Sequence, residues 1–214
     1  FDGGRGVLRA EEADPLKLLK RMTDHVGSQQ HIAATVDTDI EVITPELQKL
    51  QFASSSTLQL SRPDKLRVAR RGGYADVELI FDGKVLTIFG KNINAYAQVP
   101  LEGTTDQLLQ RLHTDFDVGA PGADLLATNA YALLTDDIVD AKYIGHGVIG
   151  GVDCDHIAIR DHDTDWQIWI ERGDNPIPRK YVITSKAVTG APQYTLLVRD
   201  WKERDVLGAD DLKF

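Results

Sequence analysis

What most constrains this chain is how often its apolar residues fall into step with a period of two. In HIAATVDTDIEVI, Ile32, Ala34, Val36, Ile40 and Val42 share one face of an extended backbone, and His31, Thr35, Asp37, Asp39 and Glu41 share the other. The alternation returns from Phe52 to Leu60, at Leu66 and Val68, and through Val77, Leu79 and Phe81. It continues in VLTIF and NAYAQVP and again from Ala141 to Trp201. About eleven strands are expected, each with one buried and one wet face. Asp82-Gly83 offers a tight hairpin turn, and further turns are expected near Asp161 to Thr164 and at Asn175-Pro176-Ile177-Pro178. The connections are short enough for an antiparallel meander.

Helical periodicity is confined to a few places. In DPLKLLKRMTDHVG, Asp14 suits a cap, Pro15 the first helical position, Leu18, Met22 and Val26 recur every fourth residue, and Gly27 suits the end. Thr104 and Gln107 have capping-box spacing ahead of the stripe Leu108, Leu109, Leu112 and Phe116. PGADLLATNAYALL adds a shorter helix or two. A few helices cover only part of so wide a one-sidedly apolar sheet, so the sheet must curl around them. The expected fold is mainly β (α+β): a single strongly curved antiparallel sheet, an unclosed half-barrel, with helices near 15–26 and 105–116 on its concave face. At 214 residues, with no repeat or linker, one domain over 14–214 is expected. The Gly-rich, charged opening FDGGRGVLRAEEA is read as a flexible segment over 1–13: a mature end, a lipoprotein stem or added residues.

The stretch GHGVIGGVDCDHIAIRDHDTDWQIWIE concentrates the residues from which catalytic sites are built. Its G-x-G-x-x-G, Gly145 to Gly150, lacks the helix whose N-terminus would hold a pyrophosphate, because Ile157 and Ile159 alternate with His156, Ala158 and Arg160. Glycines within a strand instead permit bending or close approach. Cys154 and His156 face the same side of a strand, but no C-x-x-C, H-x-x-x-H or second cysteine completes a metal site. Asp161, Asp163 and Asp165 lack the glycine and terminal glutamate of a calcium loop. No metal and no cofactor is expected, and a strand hairpin without catalysis is. His156, Arg160 and Gln167 are candidates for an interior polar network across the hairpin; the alternative is that Arg160 and Gln167 are ordinary outward-facing residues.

Charge narrows the partners. With 24 basic and 33 acidic residues interspersed, a net of −9, no basic track suits a nucleic-acid backbone. No apolar run is long enough to span a bilayer. Contact with a membrane surface stays open.

Across roughly Asp14 to Trp201, the runs FDGKVLTIFGKNINAYAQVP, TTDQLLQRL, PGADLL and PQYTLLVRDW, and above all CDHIAIR, DWQIWIE and PRKYVIT, resemble the bacterial family called domain of unknown function 2092, predicted periplasmic proteins. That family is similar in layout to the lipoprotein-localisation carriers LolA and LolB, whose unclosed half-barrel is covered by helices around an apolar cavity that takes acyl chains. The resemblance implies a periplasmic carrier, expected as a monomer, that binds a lipid, an acyl chain or a lipidated protein. The expected site lies between the concave face of the sheet, led by Ile40, Val42, Phe52, Leu58, Leu66, Val68 and Phe89, and the helical stripe Leu108, Leu109, Leu112 and Phe116. The alternatives are a non-catalytic envelope interaction protein whose core is filled by its own side chains, and a hydrolase using Cys154 and His156.

Overall fold

A computed structural model describes residues 13–72, 75–114, 121–203 and 207–212. The segment 1–12 and Phe116 therefore lie outside the described residues. The first meander is β1 (His31–Ile43), β2 (Lys49–Ser61), β3 (Lys65–Gly72), β4 (Val77–Phe81), β5 (Val85–Gly90) and β6 (Ala95–Pro100). The second is β7 (Asp140–Ile149), β8 (Val152–Arg160), β9 (Thr164–Glu171), β10 (Pro178–Ser185) and β11 (Gln193–Lys202). All eleven form one antiparallel sheet in the order β6-β5-β4-β3-β2-β1-β11-β10-β9-β8-β7. The first and last strands pair in its middle. Strands β6 and β7 are its two edges, so the sheet is an unclosed half-barrel.

Helix α1 (Pro15–Ser28) starts as the sequence indicates, with the Asp14 carboxylate accepting from the amides of Leu16 and Lys17. It does not stop at Gly27 but runs one residue further. Gly27 serves packing instead, since a Cβ there would sit 3.2 Å from the carbonyl oxygen of Thr128. Helix α2 (Thr105–Thr114) carries the expected reciprocal box: the Thr104 amide donates to Gln107 Oε1 at 2.8 Å, and the Gln107 amide donates to Thr104 Oγ1 at 3.3 Å. The PGADLLATNAYALL stretch forms a 3-10 turn (Ala123–Leu126) and α3 (Ala130–Thr135).

These helical pieces fill the concave face. Helix α1 lies against β7, β8 and β9 and against α3. Its Leu19, Met22 and Val26 enter the same core as Ile32, Leu60, Leu66, Phe81, Leu86, Ile157, Ile168 and Ile170 from the sheet, with Leu108 and Leu112 of α2. Helix α2 sits at the end of the sheet where β2 turns into β3, because the Thr105 amide donates to the Pro63 carbonyl at 2.7 Å.

One side chain fastens the pieces together. Arg62, its side chain 6% exposed, donates from Nε to the Gln29 carbonyl at 2.9 Å and from Nη2 to the Leu126 carbonyl at 2.7 Å. Its Nη1 lies 3.8 Å from Asp106 of α2. The end of α1, the 3-10 turn and the start of α2 thus meet at one guanidinium.

Candidate functional site

The register of β1 to β6 has no slip, so period two decides which residues face the helices. Ile32, Ala34, Val36, Thr38, Ile40 and Val42 of β1 lie on that face, paired with Leu60, Leu58, Ser56, Ser54, Phe52 and Leu50 of β2. Leu66 and Val68, Leu79 and Phe81, and Leu86 and Ile88 continue it across β3, β4 and β5. Near α2 this face is closed: Leu58, Leu66, Leu108 and Leu112 are buried, and Leu109 is half-buried. Toward the β1–β2 turn it opens. The pair Val42 and Leu50 is 42% and 38% exposed on the face that is otherwise the core, and Ile40 and Phe52 beside it are half-buried.

Phe89 is not part of this wall. Its register partners are Glu78 and Tyr96, on the outer face, whereas its neighbours Leu86 and Ile88 point inward with Phe81 and Leu79. The remaining sheet residues of the expected site, Ile40, Val42, Phe52, Leu58, Leu66 and Val68, do share the concave face with Leu108 and Leu112.

A polar band crosses the same face, and it gave no signal in the sequence. Thr38 Oγ1 and Ser54 Oγ are 2.7 Å apart, and Arg70 Nε donates to Ser54 Oγ at 3.1 Å. Tyr194 of β11, opposite Ile40, hydrogen-bonds to Thr38, and burial pushes its phenol up. Arg70 sits inside because it pairs with Ser56 and Val77, two positions along β3 from Val68.

The glycine- and histidine-rich stretch forms β7, β8 and β9, without a helix after Gly150. Gly150 and Gly151 make the β7–β8 turn with φ of 57° and 84°, a region that favours glycine. Gly147 lets Trp169 lie flat, since a Cβ there would come within 2.9 Å of its Cδ1. His156 stacks on Trp169 with ring centroids 4.0 Å apart, and its Nε2 meets Gln167 Oε1 at 3.0 Å. This pair is on the outer face, not the interior. Arg160 does not join it, because its guanidinium is drawn to Asp165 directly across the hairpin at 3.0 Å. Burial lowers the His156 basicity, leaving the ring uncharged at neutral pH, and burial pushes the Cys154 thiol up, away from the thiolate a nucleophile needs. No group of three or more His, Cys, Asp or Glu side chains is placed to hold a metal among the described residues.

This architecture agrees with comparison to known proteins. Residues 16–214 match the family described as "Predicted periplasmic protein (DUF2092)". The chain belongs to this family. Membership places it in the periplasm, and its fold is LolA-like. No curated protein matches the chain. Among solved structures, LprF from Mycobacterium bovis is similar with a TM-score of 0.58 and 10% identity, over 94% of this chain and 100% of that one. Lipoprotein LppX from Mycobacterium tuberculosis has a TM-score of 0.50 and 13% identity, over 91% and 99%. The MucA/MucB complex of Pseudomonas aeruginosa matches with a TM-score of 0.50 and 12% identity, over 94% of this chain and 61% of the other. At these identities the likeness is one of fold. No helix among the described residues of this family member is long and apolar enough to cross a membrane.

Proposed function

We propose that the protein is a periplasmic carrier that binds an acyl chain, of a lipid or of a lipidated protein, against the concave face of its sheet, toward the β1–β2 turn and away from the end that α2 closes. The observation that carries the reading is the apolar strip Ile40, Val42, Leu50 and Phe52, which continues the core face toward the β1–β2 turn but is left partly uncovered there. Apolar surface left open on an otherwise closed core face is surface for a ligand. Burying about twelve methylenes yields roughly 10 kcal/mol gross at about 0.8 each. Association costs of at least about 4 kcal/mol leave micromolar to millimolar binding, which suits a carrier that must also release. LppX, a lipoprotein by name, shares the fold and supports an envelope setting.

The test uses wild type and the double variant Val42→Gln, Leu50→Gln, whose positions are exposed enough to leave the core intact. Two amides in the strip should weaken binding of a fluorescent fatty acid by about tenfold while the circular dichroism spectrum stays native. Mass spectrometry of an organic extract of wild type should find co-purified lipid. A folded wild type that neither binds the probe nor carries lipid would remove the carrier reading. A protein-binding envelope component with a filled core would then stand, a reading that the MucA/MucB complex on this fold supports.

A further inference from the structure

The register carries one concave row across the middle of the sheet. Ile40 of β1 stands opposite Tyr194 of β11, Tyr194 opposite Ile183 of β10, Ile183 opposite Trp166 of β9, and Trp166 opposite Ile159 of β8. Every member is apolar or aromatic, and the cover over them changes along the row. Val42 and Leu50, one concave pair nearer the β1–β2 turn, are 42% and 38% exposed, Ile40, Tyr194 and Ile183 are half-buried, and Trp166 and Ile159 are each 3% exposed. The closed end is the part of the sheet on which α1 packs, at β8 and β9.

The next row inward is roofed. Leu196 and Tyr181, cross-strand partners two positions from Tyr194 and Ile183, are buried. The backbone of Gly122 lies on them: a Cβ there would come within 2.8 Å of Leu196 Cδ1 and 3.7 Å of Tyr181 Cδ1. Tyr194 and Ile183 are therefore the first uncovered floor beside a main-chain wall, a ledge that runs across the strands rather than along them. The Tyr194 hydroxyl is satisfied by Thr38. From Leu50 in β2 to Ile183 in β10 the ledge crosses three gaps between strands of about 4.8 Å each, about 14 Å in all. An extended chain advances about 1.2 Å per bond, so about twelve carbons fill it. Trp166 ends the ledge. Its ring stands edge-on to Tyr181 with centroids 5.5 Å apart, and its Nε1 donates to Asp161 Oδ2 at 2.7 Å, which holds it in place.

We propose that this ledge takes a medium-chain acyl group, its head at the wet end beside Val42 and Leu50 and its terminal methyl at Ile183 against Trp166, so that these last two residues set the chain length. The inference rests on the carrier reading and narrows it to chains of about twelve carbons. The direction follows from the cover, which increases from Leu50 to Trp166: a polar head stays in water while each further carbon leaves it.

The experiment is isothermal titration of the delipidated protein with octanoate, dodecanoate and hexadecanoate, each below its micelle-forming concentration. Wild-type affinity should rise about two- to fourfold per carbon from eight to twelve and change by less than about threefold from twelve to sixteen, since the further carbons stay in water. In Ile183→Gln, octanoate, too short to reach β10, should bind within about threefold of wild type, while the gain from eight to twelve carbons is lost to the buried amide. Ile183→Trp, which blocks the same end with an apolar ring, should also remove that gain. If neither variant folds, the wild-type series still decides. Affinity that keeps rising through sixteen carbons, or an eight-to-twelve gain that survives either substitution in a folded protein, overturns the inference and leaves the carrier reading in place. Binding of none of the three removes both.

Discussion

Replacing Arg62 with methionine tests whether the helical pieces are fastened to each other through one side chain. The wild-type guanidinium gives two hydrogen bonds to main-chain carbonyls, Gln29 at 2.9 Å and Leu126 at 2.7 Å, from a side chain that is nearly buried. Hydrogen bonds involving a charged group contribute about 1.5 to 3 kcal/mol each, so their joint loss is worth about 3 to 6 kcal/mol. Methionine fills much of the volume and recovers some apolar contact, which brings the expected loss to about 3 to 5 kcal/mol. The ion pair with Asp106 adds little, since that carboxylate is partly solvated and 3.8 Å away. Equilibrium urea unfolding measures the difference: the midpoint should fall while the slope with denaturant stays close to wild type. Arg62→Lys, which keeps a charge but not the fork, should lose an intermediate amount. A loss below about 1 kcal/mol for Arg62→Met at unchanged slope would refute the reasoning, because two hydrogen bonds from a nearly buried charged donor cannot be lost so cheaply.

His156 should titrate below the ordinary histidine midpoint of about 6.5, because burial disfavours its charged form. Its contribution to stability is then full above that midpoint and declines as pH falls below it, so ring resonances followed by NMR that move at or above about 6.5 would contradict the burial argument. His156→Ala should cost about 1 to 3 kcal/mol through the lost Gln167 contact. Thr104→Ala removes one half of the capping box and should cost about 1 kcal/mol in urea unfolding, with no change beyond error counting against the role given to that hydroxyl.

Local devices in this chain were readable because each acts within a few residues: the Asp14 cap with Pro15, the Thr104 and Gln107 box, and the Asp82-Gly83 turn all occur where their spacing puts them. Long amphipathic strands were readable too, since from Ala34 to Val42 β1 has apolar residues in one phase only. Strand β5 was not, because in Val85, Thr87 and Phe89 against Leu86 and Ile88 both phases are largely apolar, and only pairing with β4 tells which is inside. Arg70 failed for a related reason. Within Arg67-Val68-Ala69-Arg70-Arg71 it looks like one of several solvated charges, and its inward position appears only once β3 is in register with β2. Of the two readings open for Arg160, the outward one holds because a carboxylate in direct cross-strand register, Asp165, outcompetes a more distant neutral imidazole.

The pairing of β1 with β11 bears on how such a chain reaches its shape. Within each meander every strand meets the one made just before it, so contacts form as hairpins at small loop-closure cost. The junction differs: Ala33 pairs with Lys202 and Ile40 with Tyr194, with most of the chain between them. A polypeptide emerging amino end first can assemble β1 to β6 and must then hold the free edge of β1 open until its final strand arrives. During that interval the edge is a template for any other extended chain. Thr35, Asp37 and Asp39 line its outer face, and the two carboxylates repel a second copy aligned there, so charges that are ordinary solvated groups in the finished sheet guard the unfinished one.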